Sequence, residues 1–305
     1  MLSRLNQVLR SKKSSAKNHR LTPQCLKKRR RRLEKLEARS LLAANLWLSP
    51  SSGNWFDDSN WSDGVPTADD DVVISGSGSP FTVTINNSAS TAVANSVTIN
   101  SADATLANDR KNLTVTDSFT VDAGTVLWGT RAIEATSVVN HGQIVISANG
   151  SIDADTVTQN GLLRYETVNS NISATISGSV TNQGTIQVVS PTAARNVSIQ
   201  LSDSLTNVAG ARIEFLAGVG GNHSINGDIQ NEGTITIESN LNLGSTTVLT
   251  NESLIQVDAA SSLTTGSSGS TATINQVSGI LDIDGTFDIQ SGSFQFVGGR
   301  VEGTV

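Results

Sequence analysis

Short apolar and polar runs alternate along the chain from residue 81 onward: FTVTI (81–85), SVTI (96–99), LTVT (113–116), FTVD (119–122) and TVLW (125–128). Each run puts every second side chain on one face, which is the period of a β-strand, and Asn, Ser and Gly separate the runs as turn residues do. No apolar stretch is long enough to supply the helices of βαβ crossovers, so a doubly wound α/β fold is not expected.

From residue 138 the runs fall into copies of one string: VVNHGQIVI (138–146), VTQNGLLRY (157–165), VTNQGTIQV (180–188), IQNEGTITI (229–237) and LTNESLIQV (249–257), with looser copies LTNVAGARIEF (205–215) and INQVSGILDI (274–283). Gly142, Gly161, Gly184, Gly210, Gly233, Ser253 and Gly279 mark the same place in successive copies, 19, 23, 26, 23, 20 and 26 residues apart. Such a period is one coil of a β-helix. The pairs Ile144/Ile146, Ile186/Val188, Ile235/Ile237 and Ile255/Val257 face one side and are expected inside. Asn140, Asn182, Asn207, Asn231 and Asn251 precede the Gly position. Asn and Gly tolerate left-handed backbone, so this is read as a corner, with the amides stacked about 4.8 Å apart in a structural ladder. Hairpins of a sandwich or barrel have no reason to repeat one residue type at this interval. The expected fold is all-β, a right-handed parallel β-helix of nine or ten coils over residues 75–305.

Residues 45–74 read as a cap. In GNWFDDSNWSDGVPTADDDVVI (53–74), Trp55, Phe56 and Trp61 lie close together, Gly64 and Pro66 mark a turn, and acidic residues lead into the first strand. The segment resembles the one that opens many bacterial β-solenoid surface proteins. Aromatics there cover the open face of the first coil, since a stack of repeats needs a protected end. An aromatic cluster in a loop-rich core and a carbohydrate-stacking platform are the other readings. The C-terminal GGRVEGTV has no such cap, so end-to-end association at the last coil is an expectation.

Charge divides the chain in two. Residues 1–44 hold 14 Lys/Arg and 2 Glu, a net of +12, whereas residues 45–305 carry 7 Lys/Arg and 25 Asp/Glu, a net of −18. In KKRRRRLEKLEARSLLAA (27–44), Leu33, Leu36 and Leu41 approach helical spacing, so a basic leader, helical or disordered, is expected over 1–44. Its positions Leu36, Glu37, Arg39, Leu41, Leu42 and Ala43 resemble the L-E-x-R-x-L-L-A leader of planctomycetal extracellular proteins. That resemblance implies secretion or delivery to the cell surface. The basic block lacks interleaved aromatics and the rest of the chain is acidic, so nucleic acid is not an expected partner. No run approaches the roughly 18 apolar residues of a membrane span.

The chemistry-bearing residues are few. Cys25 stands alone, excluding an intrachain disulfide framework, and His19, His141 and His223 are the only histidines. A structural or adhesive role is expected, with cell envelope, matrix or surface polysaccharide and protein as partners. The alternative is a polysaccharide lyase or hydrolase, which needs two placed carboxylates or a carboxylate-bound Ca²⁺ beside a cation. Its candidates are Asp153/Asp155 and Asp282/Asp284, each pair two apart and expected on one strand face, with Arg131 and Glu134 not placed near either pair. Asp57, Asp58, Asp69, Asp70 and Asp71 are weak calcium candidates, and DIDG (282–285) is an incomplete calcium loop. No other cofactor is expected. Asn-x-Ser/Thr triplets such as 112–114 and 171–173 are expected by chance in an Asn/Ser/Thr-rich chain.

Overall fold

The structure is a computed structural model that describes residues 43–48, 51–86, 90–108, 110–167, 169–266 and 269–303; the expected leader lies outside the described residues up to residue 42. Residues Leu42–Val305 form one compact unit. It is an all-β parallel solenoid of about 10 turns. The expected separation into a cap over 45–74 and a later repeat domain is less sharp, because Asn45–Leu46 pairs in parallel with Asp71–Ile74, and that strand pairs with Ser96–Asn108.

In the regular part each turn supplies three short strands. Leu205–Asn207, Arg212–Phe215 and Asn222–Asn226 make one turn, and Ile229–Asn231, Thr234–Ile237 and Asn240–Leu243 the next. They stack in register, Leu205 on Ile229, Ile213 on Ile235 and Ile225 on Leu243. We number the three resulting faces in that order. In earlier turns one strand bends round a corner to serve two faces, as Arg131–Asn140, Gly150–Gln159 and Ile172–Asn182 do.

Registered stacking makes inward rows of like residues. On the second face Val126, Ile144, Leu163, Ile186, Ile213, Ile235, Ile255 and Leu281 form one buried row, and Trp128, Ile146, Tyr165, Val188, Phe215, Ile237 and Val257 the other. Each such side chain contributes roughly 1.5–3 kcal/mol by leaving water. β-Branched residues prevail because they fit a pleated surface packed on its neighbours.

The corners differ from the expected mechanism. Asn140, Asn182, Asn207, Asn231 and Asn251 each end a strand, and none is left-handed; among the described residues only Arg110 and Arg131 are left-handed without being glycine. Of the glycines at the repeat position, Gly210 and Gly279 are left-handed as expected, whereas Gly142, Gly161, Gly184 and Gly233 are needed for close approach instead. A Cβ on Gly161 would lie 2.1 Å from the carbonyl oxygen of Gly142, and one on Gly184 2.4 Å from that of Asn160. In the looser copy the stacked position belongs to Ala211, whose carbonyl accepts from Thr234, while Gly210 is left-handed and faces open space.

Candidate binding groove and polar ladders

The first face carries a buried column of amides. Asn140 Nδ2 donates to Gln159 Oε1 at 2.7 Å, Asn182 to Asn207, Asn207 to Asn231 and Asn231 to Asn251 at 2.7 Å each, and Asn251 to Gln276 Oε1 at 2.9 Å. Between the two segments, Gln159 turns its Nε2 to the Thr185 carbonyl. The same Nδ2 groups also donate to backbone carbonyls, for example Asn182 to Arg212 at 2.9 Å and Asn231 to Leu254 at 3.0 Å. Gln159 and Gln276 were not among the five expected rungs. They were legible: VTQNG and VTNQG exchange Gln and Asn, and the column takes whichever amide ends the strand. All seven amides are fully buried, so no ligand reaches them.

At the N-terminal end Trp47, Trp55 and Trp61 pack edge to face, with ring centroids 4.9 Å and 5.0 Å apart. Trp61 Nε1 donates to the Trp55 carbonyl at 2.7 Å, and Phe56 is half-buried against the same cluster. Trp47 joins the expected Trp55, Phe56 and Trp61. Burial of all three indoles rules out the sugar-stacking platform, which requires an exposed ring face.

The acidic candidates do not gather around one centre. Asp57 accepts from Ser59, Asp70 from Thr67, and Asp71 from Asn95 and Ser96 at 2.8 Å and 2.6 Å. These two bonds, the Ser96 hydroxyl first, hold the Asp71 carboxyl below the usual range. Asp58 and Asp69 are exposed, and among the described residues no three His, Cys, Asp or Glu gather as a metal site. Asp153 and Asp155 both project to solvent on either side of buried Ala154. Asp282 lies on Ile280–Ile283, and Asp284 follows its last residue, where its N–H donates to the Val257 carbonyl.

Glu134, which spacing left unplaced, is the register partner of Asp153 on the preceding turn. Its two carboxylate oxygens accept from Asn112 Nδ2 at 2.7 Å and Thr114 Oγ1 at 2.8 Å. Arg110, Lys111 and Arg131 line a small cavity of about 210 Å³ together with Thr91 and Asn112. Three of the seven cations beyond the leader therefore meet at one place.

The third face carries the larger cavities. One of about 500 Å³ runs past Asn149, Asn171, Ser173, Asn196, Ser198 and Ser224, and a second of about 290 Å³ continues past Asn240, Ser262, Thr264 and Gln290; Asn222 and Asn242 line both. An exposed amide column borders them. Asn149 Oδ1 accepts from the Ser173 N–H at 2.8 Å, Asn171 from Asn196 and Asn196 from Asn222 at 3.0 Å, and Asn222 from Asn240 Nδ2 at 3.0 Å. Ser224 Oγ donates to Ser198 Oγ at 3.0 Å. The triplets at 171–173, 196–198 and 222–224 are thus stacked one per turn rather than scattered by chance, and the triplet at 149–151 meets this face two residues out of register. Their common Asn-x-Ser spacing, read for period, is the signal that reveals this face.

His223 lies behind the same groove, on the inward row of Asn222–Asn226 with Ile225. It is fully buried, lies between Val197 and Leu241 in register, and its Nδ1 accepts from the Val197 N–H at 3.2 Å. Burial pushes its pKa down to about 4. The ring is therefore neutral, with the proton on Nε2, and that buried atom has no partner.

Set against protein-family models, curated proteins and solved structures, the chain matches none. Among the described residues no helix is long and apolar enough to cross a membrane.

Proposed function

We propose that this chain is an exported structural and adhesive β-solenoid of the cell surface or extracellular matrix. The observation that carries the reading is the third face, where amides and hydroxyls repeat turn by turn and the residues lining both large cavities are uncharged. Such a surface offers many weak contacts on a rigid support and supports adhesion better than acid–base chemistry. The resemblance of residues 36–43 to a planctomycetal extracellular leader supports the export half of the reading. Mass spectrometry of secreted, envelope and cytosolic fractions of the source cells tests it: the chain is expected in the first two, and an uncleaved cytosolic product that co-purifies with nucleic acid overturns it.

A polysaccharide-acting enzyme is the second reading, favoured by Glu134 and Asp153 on adjacent turns with Arg131 on the strand of Glu134. Both Glu134 oxygens are already bonded to neighbouring side chains, which suits a structural carboxylate better than a proton donor. A panel of polysaccharides assayed with wild type and Asp153→Asn/Asp155→Asn separates the readings. Equal, background turnover in both favours the scaffold; turnover lost in the variant favours the enzyme.

A further inference from the structure

We propose that the third face binds an uncharged, linear polysaccharide laid along the solenoid axis; this rests on the adhesive reading and names its ligand class. Besides Ile172, Leu241, Gly266 and the buried, neutral His223, the lining residues carry amides and hydroxyls. An anionic polymer would be stripped of water there without a compensating cation, whereas sugar hydroxyls both donate and accept, as amides and hydroxyls do.

Geometry adds a repeat. Asn171, Asn196, Asn222 and Asn240 recur once per turn, so equivalent amides stand about 4.8 Å apart along the stack. A polymer of repeating units meets them in series, which compensates for weak individual contacts. The donors are also pre-set. The oxygen of each of Asn149, Asn171 and Asn196 is held by a backbone N–H of the next turn, so each amide presents its NH₂ from a fixed position.

One buried atom in the groove wall lacks a partner: Asn242 Oδ1, an acceptor. An unbonded buried polar atom is costly, and a ligand hydroxyl that donates to it removes that cost. A bound peptide strand fits less well. The strands of this face are paired on both sides from Val197–Leu201 to Ser262–Thr265, leaving no edge for backbone pairing.

Affinity electrophoresis of the full chain tests the proposal, in native gels containing galactomannan or hydroxyethylcellulose, with polygalacturonate and dephosphorylated casein for comparison. Retardation is expected in a neutral glycan alone. Asn171→Asp/Asn196→Asp keeps the oxygen that each backbone N–H needs but removes the donors and adds charge. It should weaken retardation by about tenfold or more while the melting temperature holds. Thr181→Asp, which places charge on the first face, should leave retardation intact. If the charged variant melts early, Asn171→Ser/Asn196→Ser repeats the test with a hydroxyl acceptor.

Unchanged retardation of the folded double variant overturns the proposal, as does retardation by polygalacturonate or casein in place of the neutral glycans. A wild-type chain that binds envelope preparations but neither neutral glycan also overturns it, while leaving the adhesive reading standing. Binding to neither sinks both.

Discussion

A buried amide stabilises a fold only while its hydrogens and its oxygen are bonded, and Asn207 meets that condition fully. It donates to Asn231 Oδ1 and the Thr234 carbonyl and accepts from Asn182. Asn207→Ala removes all three bonds and orphans neighbours, so a loss of about 2–3 kcal/mol is expected in urea unfolding, against less than about 1 kcal/mol for Asn222→Ala on the exposed column. His223 gives the molecule an acid sensitivity. Its folded pKa of about 4 lies below the ordinary 6.5, so the unfolded chain binds the proton more readily. Stability is therefore whole above pH 6.5 and falls between pH 6.5 and 4, by up to about 3 kcal/mol. Denaturant midpoints measured across that window should flatten in His223→Gln. Asp71 acts in the same direction only at lower pH, because its carboxyl is held below the usual range.

At the scale of strands and corners, the string from 138 onward was legible because one buried row forces one residue class at one spacing. The column of Asn140, Asn182, Asn207, Asn231 and Asn251 could be read as soon as the copies were aligned. Gln159 and Gln276 escaped because they were compared by identity instead of by the amide they share. Gly142, Gly161, Gly184 and Gly233 were legible as positions but not in their reason: the carbonyl of one turn under the α-carbon of the next is a contact between coils, invisible in any single copy.

For the whole solenoid, each turn touches only its neighbours, so a defect at one end should remain there. Trp55→Ala empties a fully buried site in the aromatic cluster and should cost about 3–5 kcal/mol locally. Hydrogen exchange is expected to rise in the first turns, residues 53–85, with residues 205–257 still protected; uniform loss of protection would mean that the stack unfolds as one unit. At the opposite end Phe287 and Phe294 meet edge to face at 5.3 Å, while Phe296, Val297 and Val301 are exposed.

The strand period, the turn length and the amide rows were written in the chain itself, because each is a local rule imposed on every copy by the same neighbours above and below. Which carboxylates stand together, that the indoles are closed to ligands, and that three Asn-x-Ser triplets line one groove depended on how many residues each corner consumes. Corner lengths vary from turn to turn and cost little free energy to vary, so only the stacked structure brings distant side chains onto a common face.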